Sequence, residues 1–293
     1  MKGDGALARK LKSYAQLIRI RHWFKNVILF IPALYGRVLT EPLVLLRLVT
    51  GFFAFSLCAS AVYTLNDLCD IEKDRQHPVK CKRPLASGAV SKQEGIVLLA
   101  VCAAASLVLD VLLCGLTPGA LILPLYLFLN VMYSRSWKNK PVVDLVILVS
   151  GFVLRMVYGS VITGVTISSW LYLTLIALSL FMAFGKRRGE KRSCGENTRS
   201  VLAQYTETYL NSSMYMYLAI FLVFYALWSV DAGVIWTTPL VIVMVMRYTF
   251  ALEQDDHGDP INMILGDKLL LLLGALYAAV IVVQLYYPSL LPQ

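Results

Sequence analysis

Three aspartates stand at positions i, i+3 and i+7 directly after a long apolar run, in the segment Asn66-Asp67-Leu68-Cys69-Asp70-Ile71-Glu72-Lys73-Asp74. In an α-helix this spacing places the three carboxylates within about 60° of one face. Stacked like charges repel each other unless a cation lies among them, and Mg²⁺ is usually held by a few carboxylates plus the phosphates of a substrate. The pattern therefore indicates a magnesium–diphosphate site with Asp67, Asp70 and Asp74 as ligands, assisted by Asn66. A solvated helix start with an acidic N-cap is the alternative.

The composition is that of an integral membrane protein. Apolar residues make up 58% of the 293 positions and charged residues only 15%, far from the usage of soluble domains. A helix needs at least about 17 apolar residues to cross the hydrocarbon layer. Nine stretches qualify, approximately 23–40, 44–65, 93–114, 118–134, 142–164, 168–185, 211–230, 233–252 and 268–288. The sequence predicts an all-α, polytopic membrane protein that forms a single domain over residues 1–293.

The positive charges predict the orientation. Of the 27 Lys and Arg residues, 24 lie in the N-terminal tail or in alternate connections. By the positive-inside rule the N-terminus is cytoplasmic and, after nine crossings of the cell (inner) membrane, the C-terminus is outside. The net charge of +9 thus marks the cytoplasmic face, and we expect no nucleic-acid partner.

Cysteines and histidines give no metal signature. The six cysteines contain no C-x-x-C pair, and we expect free thiols. The single histidines His22, His77 and His257 are expected to be structural.

Basic residues near the aspartates suit a substrate that carries more than one phosphate. Arg83, which precedes Pro84, could fork onto phosphate oxygens or simply contribute to the inside-positive charge, and the two interpretations are balanced. Lys25 could reach a phosphate or snorkel to lipid headgroups, with the second slightly favoured. The other candidate phosphate ligands are Lys138, Lys186 and Arg187.

Arg155 is a charged residue inside a predicted span. It follows Asp144 by eleven residues, which places both on one helix face with Arg155 about 16 Å deeper. An arginine near mid-membrane costs at least about 2.5–3.5 kcal/mol, so it must face protein or a wet cavity. We expect a cation at the floor of a cavity; the alternative is a clamp on backbone carbonyls.

The pattern N-D-x-x-D-x-x-x-D after the second span, nine predicted helices and a second polar segment after the sixth resemble the UbiA superfamily of intramembrane prenyltransferases. That resemblance covers essentially the whole chain and implies helices around a central cavity open to the cytoplasmic side. Most members carry a second motif, D-x-x-x-D, where this sequence has G-K-R-R-G-E from Gly185 to Glu190.

This departure resembles the decaprenyl-phosphate phosphoribosyltransferase branch. The shared elements are W-x-K-N at Trp23–Asn26, R-P-x-A-x-G at Arg83–Gly88, Tyr133-Ser134 with Lys138, G-K-R-x-x-E at Gly185–Glu190 and Y-T-E-x-Y-L at Tyr205–Leu210. The resemblance implies transfer of phosphoribose from phosphoribosyl diphosphate to a polyprenyl phosphate with Mg²⁺. It also adds Tyr133 and Glu190 to the expected substrate-binding residues, which include Asp144 at the start of the fifth predicted span and Arg155.

Two other functions remain open at this stage. One is transfer of a prenyl group from a prenyl diphosphate to an aromatic or lipophilic acceptor. The other is transport of a lipid phosphate, which calls for paired charges along the crossing path. Phosphoribosyl transfer must bind a diphosphate, a 5-phosphate and a lipid phosphate, and these need more cations than a prenyl diphosphate does. The basic second segment therefore favours phosphoribosyl transfer. Neither the oligomeric state nor the length of the lipid is predicted.

The predicted orientation can be tested by labelling. Because the segments 66–92, 133–141 and 186–210 are expected in the cytoplasm, single cysteines at positions 81 and 194 should resist a membrane-impermeant thiol reagent added to intact cells. A cysteine introduced at Thr117, in a predicted outer connection, serves as the positive control in the same Cys-free background. Strong labelling at 81 or 194 would overturn the orientation.

Overall fold

The computed structural model describes residues 2–76, 79–194, 200–254 and 260–287, and all regular structure within these ranges is helical. The α-helices are α1 (Lys2–Leu17), α2 (Ile31–Tyr35), α3 (Pro42–Cys69), α4 (Ile71–Gln76), α5 (Lys92–Cys114), α6 (Ile122–Arg135), α7 (Val143–Thr163), α8 (Ser169–Cys194), α9 (Ser200–Gln204), α10 (Glu207–Asp231), α11 (Thr238–Gln254), α12 (Pro260–Gly266) and α13 (Lys268–Tyr286). Short 3-10 helices cover Ile20–Phe30, Lys80–Lys82, Pro118–Leu121, Trp137–Asn139 and Ile235–Thr237. The all-α prediction is confirmed.

Seven helical segments of the described ranges are long and apolar enough to cross a membrane. They are Pro42–Cys69, Lys92–Cys114, Val143–Thr163, Ser169–Arg192, Glu207–Asp231, Ile235–Gln254 and Lys268–Tyr286. The multi-pass prediction is therefore confirmed, whereas the count of nine is not. The predicted spans 23–40 and 118–134 each fold as a 3-10 helix followed by a short α-helix. With 14 residues, α6 rises only about 21 Å, less than the thickness of the hydrocarbon layer.

The structure divides into two compact units. The first comprises 1–34, 38–137 and 154–165. Within it α3 packs most extensively against α5, and its core contains Leu48, Phe55, Tyr126 and Tyr158. Gly159 of α7 lies so close to the 3-10 helix Ile20–Phe30 that a Cβ atom would overlap the backbone carbonyl of Leu29.

The second unit comprises 35–37, 138–153 and 166–293. Here α8 packs most extensively against α10, and aromatic and aliphatic side chains such as Phe181, Phe184 and Met214 fill the core. Two short turns in the chain use glycines with positive φ, Gly164 at 72° and Gly233 at 71°, a conformation that costs other residues about 1–2 kcal/mol. That residues 1–293 form a single domain stays a prediction.

Both polar connections are more helical than the sequence predicts. In 66–92, α3 continues to Cys69 and α4 follows after Asp70, which caps α3 with φ −105° and ψ 12°. In 186–210, α8 runs on to Cys194 and therefore includes the basic segment after Gly185. Asp67, Asp74 and Arg187 are thus held on helices, which position side chains more rigidly than loops.

The last apolar helix, α13, has Asp267 as its N-cap. The Asp267 carboxylate accepts hydrogen bonds from the backbone N–H groups of Leu269 (2.9 Å) and Leu270 (3.1 Å), and Arg247 Nε donates to it at 2.8 Å. The backbone N–H of Leu270 and the Arg247 guanidinium hold the pKa of Asp267 below its usual range, because both favour the charged form. Asp267 therefore anchors α13 as a carboxylate.

The close approach at Gly159 gives a stability prediction. Gly159→Ala should lower the free energy of unfolding by about 1–3 kcal/mol, because the helices must separate to admit the methyl group. Gly274→Ala is the matched control, since an added Cβ there meets nothing within 4 Å and alanine favours the helix. Thermal unfolding in detergent measures both. Equal melting temperatures for the two variants would contradict the predicted close packing.

Candidate active site

Two buried carboxylates define a polar cluster in the first unit. Asp67 lies in the last turn of α3 and Asp74 on α4, and they are only 3% and 4% exposed. One nitrogen of Arg83 contacts both, at 3.1 Å from Asp67 Oδ1 and 2.7 Å from Asp74 Oδ2. Arg19 donates to the same Asp67 oxygen at 2.6 Å. We call these four residues the acidic cluster.

Local backbone structure places Arg83 in this cluster. It follows the 3-10 helix Lys80–Lys82 in an extended conformation, with φ −63° and ψ 146°, as expected before a proline. The backbone then turns back, since Ser87 N–H donates to the Arg83 carbonyl (2.8 Å) and Val90 N–H to the Pro84 carbonyl (3.0 Å). The R-P-x-A-x-G segment is thus a turn that directs the guanidinium to the carboxylates.

Arg19 enters the cluster through an unusual backbone conformation. With φ and ψ both 53°, it is one of three non-glycine residues of positive φ in the described ranges. Its guanidinium lies 4.8 Å from the ring centroid of Tyr63, a cation–π contact. Such strain in a residue that contacts a buried carboxylate is typical of functional sites.

The acidic cluster supplies two of the three carboxylates expected to hold a magnesium ion. No group of three or more His, Cys, Asp or Glu side chains within the described residues could hold a metal, so the expected three-carboxylate set, with Asp70 as its third member, is not assembled. Asp67 and Asp74 nevertheless converge on one cationic nitrogen, and both are hard oxygen donors. Mg²⁺ needs only one or two carboxylates when the substrate supplies phosphate oxygens. The predicted repulsion among the acids is relieved here by arginines.

A second buried ion cluster lies in the second unit. Asp144, at the start of α7, is fully buried; its Oδ2 accepts from Arg187 Nε at 2.7 Å, and Arg187 also donates to Glu190 at 2.7 Å. The Tyr205 hydroxyl donates to Asp144 Oδ1 at 2.7 Å and accepts the backbone N–H of Val142 at 2.6 Å. Burial raises the pKa of Tyr205, so the phenol remains the proton donor. Asp144, Arg187, Glu190 and Tyr205 form the arginine cluster.

Neighbouring cations of α8 are paired with acids of the same unit. Arg188 lies 2.5 Å from Glu253, and Arg192 lies 2.8 Å from Glu207 and 3.4 Å from Glu253. Glu253, near the end of α11, is thus a structural partner of two arginines. Together these pairs tie the end of α8 to α10 and α11.

The structure places the Arg155 side chain among polar and aromatic side chains of the first unit. Its side chain is 4% exposed; Nε donates to Asn26 Oδ1 at 2.6 Å and a terminal nitrogen donates to the Tyr126 hydroxyl at 3.2 Å. The guanidinium also lies 4.8 Å from the ring centroid of Phe55. Amide, phenol and ring faces stabilise a buried guanidinium, so these contacts are consistent with a clamp, and the position at the floor of a cavity stays a prediction.

Other predicted residues lie near these clusters in sequence without joining them through the contacts described. Asn66 accepts a hydrogen bond from the Ser134 hydroxyl. Lys25, Tyr133, Lys138 and Lys186 are half-buried, and each makes interactions of its own. Their roles toward a substrate stay predictions.

Five cysteines and one histidine can be compared with the predictions. The cysteines described as free are Cys58, Cys69, Cys81, Cys102 and Cys114, as predicted. His22 packs its ring 5.3 Å from that of Tyr63, in keeping with a structural role. His77 and His257 lie outside the described residues.

Sequence reasoning missed three residues that the structure makes prominent. Arg19 stands four residues before Trp23, but its approach to Asp67 depends on tertiary structure. Tyr205 was noted only as part of a motif. Asp110 is a charged residue inside the predicted span 93–114, the same signal that singled out Arg155, and it could have been found.

Comparisons with known proteins identify the family and the fold of the chain. The model of the UbiA prenyltransferase family matches residues 29–266. The chain is similar to the decaprenyl-phosphate phosphoribosyltransferases of Corynebacterium glutamicum, with 32% identity over 92% of this chain and 85% of that protein, and of Mycobacterium tuberculosis, with 31% identity over 94% of each. Among solved structures, a UbiA homologue from Archaeoglobus fulgidus bound to GPP and Mg²⁺ superposes with a TM-score of 0.72 at 21% identity, covering 93% of this chain and 99% of that one.

The arginine cluster gives a prediction about stability. Asp144→Ala should lower the free energy of unfolding by about 3–5 kcal/mol, because removing one partner leaves the buried Arg187 insufficiently compensated. Glu72→Gln is the matched control: the Glu72–Arg75 pair (2.9 Å) is exposed and should contribute less than about 1 kcal/mol. Thermal unfolding of both variants checks this. Similar small losses would show that Arg187 does not depend on Asp144.

Proposed function

This chain belongs to the UbiA prenyltransferase family, and on that premise we propose that it transfers 5-phosphoribose from phosphoribosyl diphosphate to a polyprenyl phosphate, releasing diphosphate. The observation that carries the proposal is the match over more than nine-tenths of the chain to proteins named decaprenyl-phosphate phosphoribosyltransferase. The basic segment Lys186–Arg188, in place of a second aspartate motif, supports it independently.

The acidic cluster is the proposed site for the leaving diphosphate. Asp67 and Asp74 would hold Mg²⁺, with Asp70 and Asn66 adjacent in sequence. Bound there, the ion would supply Lewis-acid stabilisation of the charge that develops on diphosphate. The UbiA homologue structures bound to Mg²⁺ support a divalent metal in this fold.

In this proposal Arg83 and Arg19 also bind phosphate oxygens of the donor. In the structure they compensate Asp67 and Asp74 directly. Once the carboxylates have another cation as partner, the guanidinium groups are free to bind phosphate oxygens, for which their planar fork is suited. The same arginines would thus compensate the carboxylates and also bind the phosphate oxygens of the donor.

The chemical step needs little from the protein beyond binding and charge. A polyprenyl-phosphate oxygen attacks C1 of the ribose, the new C1–O bond forms, and the bond from C1 to the diphosphate oxygen breaks. The nucleophile is already an anion, so no strong general base is needed. The protein's residues therefore act by positioning two anions and by compensating their charge.

Lys138, Lys186 and Lys25 are the proposed ligands for the remaining phosphates, with Tyr133 nearby in sequence. Arg187 is buried between two carboxylates, so we assign it a positioning role: it orders Asp144 and Glu190 at the segment that carries Lys186. The orientation predicted from positive charge puts these groups at the cytoplasmic face of the cell membrane, where a phosphorylated sugar donor is accessible.

The donor can be tested directly. Purified protein in lipid nanodiscs is given Mg²⁺ and a polyprenyl phosphate with phosphoribosyl diphosphate, or, in a parallel reaction, a prenyl diphosphate with an aromatic acid. We expect a lipid-linked phosphoribose product and release of diphosphate in the first reaction alone. Product from the prenyl donor alone would reject phosphoribosyl transfer and support the prenyltransferase alternative.

Variants of the acidic cluster test the site with the same assay. Asp67→Asn and Asp74→Asn should each lower kcat/KM by at least about a hundredfold, and Arg83→Gln by roughly ten- to a hundredfold, since a charged contact contributes about 1.5–3 kcal/mol. Glu72→Gln, on the exposed side of α4, should leave kcat/KM unchanged. Near-normal turnover of both aspartate variants would rule out the proposed diphosphate site.

A further inference from the structure

A second group of buried polar side chains lies within the first unit, away from the acidic cluster. Ser106, Asp110 and Cys114 recur every four residues on α5 and so share one helix face. Asp110 is 1% exposed, and Ser106 is fully buried. Asp110 stands 18 residues after Lys92, which places it about 27 Å along α5 from the end where the polar segment 66–92 joins it.

The Asp110 carboxyl has no hydrogen-bond partner among the described residues. Neither of its oxygens is satisfied, and the buried hydroxyls of Ser106 and Tyr158 are also unsatisfied. The Tyr158 hydroxyl and the Cys114 thiol are near enough to interact with the carboxyl, although neither makes a hydrogen bond of acceptable geometry. Native proteins rarely leave several buried polar atoms unpaired side by side.

No cation compensates Asp110 within the part of the chain described. The titratable groups that face it are Cys58 from α3, Cys114 from α5 itself and Tyr158 from α7. Arg155, one helical turn before Tyr158, donates instead to Asn26 and Tyr126. Asp110 is therefore surrounded by neutral groups.

An ionised carboxylate in this position would be costly. Desolvation of a buried, unpaired ion costs several kcal/mol even after the surroundings relax, and a span such as Lys92–Cys114 has no bulk water beside its buried face. A neutral carboxylic acid avoids this cost and gains an O–H group that can donate to Tyr158 or Ser106. The arrangement thus suits a bound proton.

We propose that Asp110, with Ser106 and Tyr158, forms a membrane-embedded proton-binding site in which Asp110 is a neutral carboxylic acid at neutral pH. The site is separate from the acidic cluster and takes no part in the transfer reaction proposed above. Its ligand is a proton, since the hydroxyls can share hydrogen bonds with the acid but cannot neutralise a carboxylate.

Infrared difference spectroscopy tests the proposal on the full chain in nanodiscs at pH 7. The wild-type minus Asp110→Asn spectrum should contain the C=O stretching band of a protonated carboxylic acid, with a small shift in D₂O. Ser106→Ala should retain the band, because the acid remains. Asp267→Asn is the control for an ionised carboxyl group. The wild-type minus Asp267→Asn spectrum should contain carboxylate bands, since Asp267 is paired with Arg247.

Carboxylate bands in the Asp110 difference spectrum, like those of Asp267, would overturn the proposal. If Asp110→Asn does not fold, wild-type protein treated with dicyclohexylcarbodiimide decides the question. The acid proton moves to a carbodiimide nitrogen as the carboxyl oxygen bonds to the central carbon, and an acyl shift then leaves a stable N-acylurea without a leaving group. Mass spectrometric recovery of this adduct on Asp110 supports the proposal, and recovery of only the unmodified peptide overturns it.

Discussion

The contact of one Arg83 nitrogen with Asp67 and Asp74 is the interaction on which the first unit's polar structure depends. Two carboxylates buried beside an apolar helix are costly unless a cation compensates them. Arg83 does so and at the same time joins the end of α3, helix α4 and the turn that follows residue 83.

The second unit also compensates its carboxylates with an arginine. Arg187 lies between Asp144 and Glu190, and Tyr205 completes the hydrogen bonding of Asp144. In each unit an arginine contacts two carboxylates: the half-buried Arg83 contacts Asp67 and Asp74, and the buried Arg187 contacts Asp144 and Glu190. In both, charge compensation acts together with apolar packing, since Leu85 and Val90 of the first segment and Val201 and Leu202 of the second lie in hydrophobic clusters.

Two ionisable residues farther inside the membrane-spanning helices, Arg155 and Asp110, differ in their partners. Arg155 donates to Asn26 and Tyr126 and has an aromatic ring against its face, so it can remain ionised. Asp110 has only neutral neighbours. The difference follows from partners: a guanidinium is well served by amides, phenols and rings, whereas a carboxylate without a cation is best neutralised by a proton.

The sequence by itself determined the helical class, the membrane location and the position of the first acidic motif, because hydrophobic length and the spacing of aspartates are local properties. It also placed Arg83 near the aspartates, since nine positions separate it from Asp74. Only the tertiary structure decided that Asp67 and Asp74 share Arg83, that Arg19 joins them from 48 residues away, and that Arg155 donates to Asn26 and Tyr126. Those outcomes depend on which side chains long-range packing brings within hydrogen-bonding distance, and residue spacing along one helix contains no information about partners on another.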